Sequence, residues 1–128
     1  MILSNQGGRQ LDAAVAPLDV LAQSRARNSA PILIDSGYRR GTDIVKALAL
    51  RANSVLLGRA TLYGLAAGEV GVDDVLRLLK DEVGRTLAQI GCASASQLSP
   101  DYVMAVGRLQ VPGTTGEVLF ARASIYGG

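Results

Sequence analysis

The chain has 128 residues, which is enough for one domain and too few for two of ordinary size. Apolar residues make up 48% of it and aromatic residues only 4%, so we expect a globular protein with an aliphatic core. The formal net charge is +2 and the arginines are scattered, which argues against a nucleic-acid-binding surface. The sequence contains no histidine, and this excludes histidine metal sites, Ser-His-Asp triads and a histidine base within the chain.

Cysteine content and hydropathy bear on the compartment. Cys92 is the single cysteine, which leaves no disulfide framework and no cysteine metal site and fits a reducing, cytoplasmic compartment. No apolar run reaches the roughly 18 residues that a membrane span requires. The N-terminus also lacks the basic and apolar regions of a signal peptide. We therefore expect no membrane anchor in this chain.

The chain begins with a short apolar run, residues 1–3, that is followed by the polar stretch SNQGGRQLD, residues 4–12. We interpret this region as a strand end and a turn, because paired glycines break regular structure. Two interpretations of the turn remain open: it is an ordinary polar loop, or Arg9 faces a ligand and binds a small carboxylate. A short helix is predicted next, over residues 17–28, with Pro17 in its first turn.

A compact βαβ unit is predicted over residues 31–58. The runs at 31–35 and 54–58 are apolar throughout, as in parallel strands that are buried on both faces. Between them, residues 42–52 carry the apolar stripe of a helix, and Thr42 or Asp43 can cap its first amides.

Helical periodicity is clearest over residues 72–90, where apolar side chains recur at steps of three and four. The prediction places Asp73 and Asp74 at the N-terminus of this helix, where the helix dipole favours anions, and Gly91 just after its C-terminus. Beyond about residue 103 two short apolar or alternating runs flank PGTTG, which indicates a β-hairpin or a frayed tail.

Glycine–arginine turns follow both strands of the βαβ unit: DSGYRRG, residues 35–41, and the pair at 58–59. The C-terminal ends of parallel strands form the ligand face of α/β folds, and glycine with arginine suits an anion such as phosphate. Ordinary turns with surface arginines are the alternative, but the repetition on neighbouring strands favours phosphate.

Asp35 is either an acid–base group or a strand-end carboxylate bonded to loop amides. The second role is favoured, because no partner carboxylate or histidine is evident.

Four segments, in this order, resemble the FMN-dependent α-hydroxy-acid dehydrogenases and oxidases: SNQGGRQLD, PILIDSGYRRGTDIVKALAL, SVLLGRATLYGLAAGEVGV and LSPDY. Within that family, LLGRATLYGLAA and TLAQIGC lean toward the mandelate dehydrogenase branch. The resemblance implies a (β/α)8, or TIM, barrel of which residues 1–102 would supply the end of strand six and strands seven and eight with their helices. Residues 103–128 match nothing in the family and would form a tail. The implied reaction oxidises a small, mandelate-like 2-hydroxy acid to the 2-oxo acid while FMN is reduced.

The resemblance also implies roles for residues at matching positions. Arg9 matches the arginine that pairs with the substrate carboxylate. Gln6 stands where the family has its catalytic histidine, which takes a proton as the hydroxy acid is oxidised. The positions that match the FMN phosphate site are Asp35, Ser36, Gly37, Tyr38, Arg39, Gly58 and Arg59.

Three departures from the family set further expectations. An amide at Gln6 has no useful basicity near neutral pH, so we expect the isolated chain to be inactive although binding can survive. The family's earlier strands are not in this chain, so we expect either a homo-oligomer that pairs exposed strand edges or complementation by an N-terminal barrel fragment. The alternative is a non-catalytic, flavin- or phosphate-binding or self-associating protein. Arg51 stands where relatives usually have a glycine with positive φ at a helix end.

Overall fold

The computed structural model describes residues 1–106 and 122–124 of the chain. Three parallel strands form one sheet in the order β1-β2-β3, and they are β1 (Ile2–Leu3), β2 (Leu33–Ile34) and β3 (Ser54–Val55). Helices follow each strand: α1 (Pro17–Ala26), α2 (Gly41–Ala49), and after β3 the pair α3 (Arg59–Leu65) and α4 (Gly68–Gln89). Short 3-10 turns lie at Gln6–Gly8, Ala95–Gln97 and Pro100–Tyr102. The fold is α/β, with a helix after every strand of the parallel sheet.

The βαβ unit predicted over residues 31–58 is confirmed, since β2 and β3 pair in parallel with α2 between them. Both strands are shorter than the predicted runs 31–35 and 54–58. The expectation that both strands are buried on both faces was wrong for β3, where Ser54 is exposed and Val55 is only half-buried. β3 and β1 are the two edges of this sheet, whereas β2 lies in its centre.

The core lies around the central strand and the first helix. Ile32 and Ile34 are fully buried, and so is Leu21 of α1. Burying an aliphatic side chain of this size contributes about 1.5–3 kcal/mol. Tyr38 belongs to the same cluster, so the loop that follows β2 is anchored in the core.

The first turn of α2 is capped by two carboxylates, of which the sequence predicted that of Asp43 but not that of Glu82. The helix begins at Gly41 with Arg40 as its N-cap, so neither Thr42 nor Asp43 occupies that position. Asp43 instead reaches back and accepts a hydrogen bond from the N–H of Arg40 at 3.2 Å. Glu82 on α4 accepts another from the N–H of Gly41 at 2.7 Å. Two carboxylates thus satisfy amides that a helix start leaves without partners.

Helix α4 begins at Gly68, earlier than the predicted start at residue 72. Asp73 and Asp74 therefore lie inside the helix rather than at its N-terminus, and Glu69 is the acidic residue of the first turn. The prediction for the two aspartates was wrong because the chain turns sharply between α3 and α4.

Two glycines allow α3 and α4 to approach closely. A Cβ on Gly64 would lie 2.5 Å from the carbonyl oxygen of Gly71, and a Cβ on Gly71 would lie 2.1 Å from that of Gly64. Any larger residue at either position would push the helices apart. The end of α4 agrees with the prediction: Gly91 has a φ of 69°, and Cys92 donates its N–H to the carbonyl of Leu87 at 2.9 Å, as in a Schellman motif.

Helix α2 ends with the same motif but without a glycine. Arg51 has a φ of 71°, and its N–H donates to the carbonyl of Leu48 at 2.9 Å. The N–H of Ala52 donates to the carbonyl of Ala47 at 3.0 Å. The positive φ implied at position 51 by the family resemblance is therefore present.

Strand β4 (Met104–Val106) pairs antiparallel with β5 (Arg122–Ser124). The rest of the predicted hairpin or tail, residues 107–121 and 125–128, lies outside the described residues. Within the described ranges, no helix has the length and hydropathy needed to cross a membrane.

Candidate functional site

Three loops meet at the C-terminal edge of the parallel sheet. We name them by chain order: the first loop is residues 4–9, after β1; the second is residues 35–39, after β2; the third is residues 58–59, after β3. They line an open cleft of about 550 Å³, within the roughly 300–1,000 Å³ of small-molecule sites. The structure brings every site residue of the sequence prediction to this cleft: Gln6, Arg9, Asp35, Ser36, Gly37, Tyr38, Arg39, Gly58 and Arg59.

Charge in the cleft is predominantly positive. Each loop contributes one exposed guanidinium: Arg9, Arg39 and Arg59. The one carboxylate among the lining residues, Asp35, is half-buried and already bonded to hydroxyl groups. Guanidinium groups form charge-assisted, bidentate hydrogen bonds with phosphate and carboxylate. The arrangement is therefore suited to an anionic ligand.

The second loop turns through two residues with left-handed backbone. Ser36 has a φ of 75° and Gly37 a φ of 105°. In the described part of the chain, no group accepts a hydrogen bond from the N–H of Gly37 or Tyr38. These amides are accordingly available to an anion that approaches the loop, because glycine offers no side chain to block it.

The first loop contains three successive residues of positive φ, namely Gln6, Gly7 and Gly8 at 55°, 67° and 73°. Arg9 donates from Nε to the carbonyl of Gln6 at 3.2 Å, which braces the turn. The side-chain amide of Gln6 lines the cleft and forms no hydrogen bond with any described residue. The Gln6 amide and the two terminal nitrogens of the Arg9 guanidinium can therefore bind a ligand without first losing a partner among the described residues.

Asp35 links the first and second loops. Its carboxylate accepts hydrogen bonds from the hydroxyl of Ser4 at 2.9 Å and from the hydroxyl of Ser36. The prediction that loop amides would satisfy this carboxylate was wrong in its donors, since the donors are hydroxyls. Ser4 was also missed as a site residue, although its place just beyond β1, at the same sheet edge, is a signal that could have revealed it.

The hydroxyl of Tyr38 is buried and has no hydrogen-bond partner among the described residues. Burial raises the pKa of this phenol well above its ordinary value, and the nearby carboxylates of Asp43 and Asp35 raise it further. Tyr38 therefore stays protonated at neutral pH and cannot serve as a base.

The lone thiol, Cys92, is buried, donates to the carbonyl of Ser94 at 3.2 Å, and is not among the residues that line the cleft.

Comparison with known proteins relates the chain to FMN-dependent dehydrogenases. The model of the family described as FMN-dependent dehydrogenase matches residues 1–105. Over 108 residues the chain is 68% identical to (S)-mandelate dehydrogenase from Pseudomonas putida, covering 84% of this chain and 28% of that protein. It is 44% identical over 106 residues to L-lactate oxidase from a Nostoc species, covering 80% of this chain and 29% of the oxidase.

Solved structures give the same result. A soluble variant of the membrane-associated (S)-mandelate dehydrogenase from Pseudomonas putida superposes with a TM-score of 0.77 and 70% identity, covering 79% of this chain and 29% of that one. A flavocytochrome b2 variant with pyruvate bound superposes with a TM-score of 0.72 and 41% identity, covering 78% of this chain and 28% of the other.

The chain thus spans less than a third of the length of these relatives. The family match extends over most of the described residues and includes all three loops of the cleft. The cofactor of the family is FMN. The chain belongs to the FMN-dependent dehydrogenase family.

Proposed function

We propose that the chain forms the FMN-phosphate- and carboxylate-binding part of a (β/α)8-barrel enzyme that oxidises a small, mandelate-like 2-hydroxy acid to the 2-oxo acid. Strands β1, β2 and β3 would be the end of strand six and strands seven and eight. The observation that carries the proposal is the convergence of Arg9, Arg39 and Arg59 on one cleft at the C-terminal ends of three consecutive parallel strands. In barrel enzymes this end of the strands holds the active site, often with a phosphate site after strands seven and eight.

The second and third loops fit the phosphate of FMN. The N–H groups of Gly37 and Tyr38 have no acceptor in the described chain, and Arg39 and Arg59 are exposed at the same cleft. The two negative charges of a phosphate dianion match the two guanidinium groups. Its oxygens can accept hydrogen bonds from these groups and from the two amides. Gly58 lies at the start of α3, and because it has no side chain, a phosphate can approach the backbone of the third loop.

The first loop fits the substrate. Arg9 would pair with the carboxylate of the hydroxy acid, which holds the adjacent hydroxyl toward Gln6. When bound, FMN supplies the two-electron acceptor for the oxidation. The amide of Gln6 can hold the substrate hydroxyl by a hydrogen bond but cannot take its proton near neutral pH. We therefore propose that substrate binding persists and that oxidation is slow or absent in the isolated chain.

The sheet edges support the proposal of a partner chain. Ile2 on β1 is 59% exposed, and β1 and β3 are the two edges of the sheet, with no further strand paired to them in the described part of the chain. Open edges pair readily with other strands. An N-terminal barrel fragment would complete the barrel, and a second copy of this chain would give a homo-oligomer. We place the protein in the cytoplasm, in line with its single buried thiol.

The alternative, a non-catalytic flavin- or phosphate-binding protein, is favoured by one observation, the amide at position 6. Both functions require FMN binding. Titration of the purified chain with FMN, monitored by flavin fluorescence, tests this binding. We expect saturable binding that weakens at least tenfold in Arg39→Gln and Arg59→Gln and is unchanged in Arg27→Gln, which alters an exposed arginine away from the cleft. Equal binding by all four proteins would contradict the proposed site. Anaerobic addition of (S)-mandelate then separates the two functions in a barrel that is completed with the N-terminal region of a relative and carries Gln6→His, because the flavin is bleached there only if this chain supplies part of an active site.

A further inference from the structure

One hydroxyl group joins the second loop to the first. Ser36 Oγ donates to the carboxylate of Asp35 and accepts from the backbone N–H groups of Asn5, at 3.3 Å, and Gly7, at 3.2 Å. Ser36 itself has a φ of 75°, a conformation that is unfavourable for a residue with a Cβ. The three hydrogen bonds offset this strain, and they disappear together if the hydroxyl is removed.

The two amides held by Ser36 lie on either side of Gln6. The N–H of Gln6 donates in turn to the hydroxyl of Ser4 at 3.0 Å, and Ser4 donates to Asp35. The backbone of the first loop is therefore fixed from the second loop, directly by Ser36 and indirectly by Asp35. The loop so fixed carries the cleft side chains of Gln6 and Arg9.

We propose that Ser36 is a positioning residue that couples anion binding in the second loop to the conformation of the first loop. The inference rests on the proposed phosphate site. An anion bound at Gly37 and Arg39 would fix the second-loop backbone and with it Ser36 Oγ, and thus the amides of Asn5 and Gly7. Linkage makes the effect reciprocal: a carboxylate that orders the first loop strengthens phosphate binding in the second.

Amide-solvent exchange measured by NMR tests this coupling in the full 128-residue chain, with inorganic phosphate as the probe. Phosphate is chosen rather than FMN because it lacks the flavin ring, which would cover the first loop and slow amide exchange there directly. At phosphate concentrations that saturate each protein, we expect exchange of the Asn5 and Gly7 amides to slow roughly 3- to 10-fold in the wild type, as strengthening of one or two hydrogen bonds implies. In Ser36→Gly, which relieves the backbone strain but lacks the hydroxyl, we expect no slowing.

Ser36→Thr separates coupling from stability. It keeps the hydroxyl but places a β-branched residue at positive φ, so it lowers the unfolding temperature while the slowing by phosphate remains. A merely structural role would make the slowing follow stability, so that it would shrink in Ser36→Thr as the unfolding temperature falls. If the threonine variant does not fold, Ser36→Gly alone decides.

Equal slowing in the wild type and Ser36→Gly overturns the inference and points to Arg59, which donates to the carbonyl of Gly7 at 3.3 Å, as the link. Phosphate binding without slowing in the wild type also overturns it but leaves the proposed phosphate site standing. An absence of saturable phosphate binding overturns both.

Discussion

The carboxylate of Glu82, on α4, accepts a hydrogen bond of 2.7 Å from the N–H of Gly41, the first residue of α2. The contact is close because Gly41 has no side chain: a Cβ there would lie 2.5 Å from the Cβ of Glu82. The last helix of the described chain therefore holds the start of α2, and α2 follows directly from the second loop of the cleft.

Glu82 is expected to stabilise the protein more when it is ionised than when it is neutral. The hydrogen bond from Gly41 lowers the pKa of this carboxyl below its ordinary value, with a further contribution from Arg40. The Glu82 side chain is 20% exposed and that of Arg40 72%, so the backbone bond outweighs the screened ion pair. We expect Glu82→Gln to lower the free energy of unfolding by about 1 kcal/mol at pH 7, the difference between a charged and a neutral hydrogen bond.

Because the folded-state pKa is depressed, this stabilisation is complete above the ordinary glutamate value of about 4.3 and is lost as the pH falls through the folded-state pKa. Urea unfolding at pH 7 and pH 3 measures it, with Asp81→Asn, an exposed neighbour, as the control. A deficit in Glu82→Gln that is the same at both pH values would contradict the role of the charge.

Arg51→Gly is expected to stabilise the protein by about 0.5–1 kcal/mol. Arg51 has positive φ, which costs a residue with a Cβ roughly 1–2 kcal/mol, and the larger backbone entropy of glycine offsets part of the gain. Thermal and urea unfolding measure the change. The matched control is Arg27→Gly, since Arg27 ends α1 with a φ of −99° and gains nothing from glycine. Stabilisation of both variants alike would show that the backbone conformation at Arg51 is not the cause.

Helix patterns, glycine turns and the family segments were enough to predict much of this architecture. The βαβ unit and the end of α4 at Gly91 follow from local sequence, and the glycine turns together with the family segments predicted nine of the residues that line the cleft. The start of α4 did not follow from local sequence, because the contact between Gly64 and Gly71 that brings α3 against α4 depends on two glycines meeting in space. The cap that Glu82 supplies to Gly41 could not be predicted from local sequence either, since 41 positions separate the two residues in the chain.

The buried hydroxyl of Tyr38 gives a third prediction. It has no partner among the described residues, and an unsatisfied buried polar group costs about 1–3 kcal/mol. Tyr38→Phe is therefore expected to raise the free energy of unfolding by about 1 kcal/mol. Tyr63→Phe serves as the control, because Tyr63 is 71% exposed and its change should be near zero. A destabilised Tyr38→Phe would show that the hydroxyl is in fact bonded in solution.

Under the proposed function, Gln6→His is expected to supply a general base at the position that the family resemblance assigns to a catalytic histidine. Position 6 has a φ of 55°, a conformation in which histidine occurs more often than most residues, so the exchange adds little strain. In a barrel completed with the N-terminal region of the Pseudomonas putida enzyme, anaerobic flavin reduction by (S)-mandelate should rise roughly 10²–10⁴-fold. Gln6→Asn, a shorter amide, is the control. If histidine and asparagine give the same rate, position 6 does not hold the base.

Binding of the FMN phosphate by the second and third loops can be measured by parallel titrations of the 128-residue chain with FMN and with riboflavin, which lacks the phosphate. We expect FMN to bind at least tenfold more tightly than riboflavin, and this preference to disappear in the Arg39→Gln, Arg59→Gln double variant while riboflavin affinity is unchanged. Equal affinity of the wild-type chain for FMN and riboflavin would contradict the proposed phosphate site.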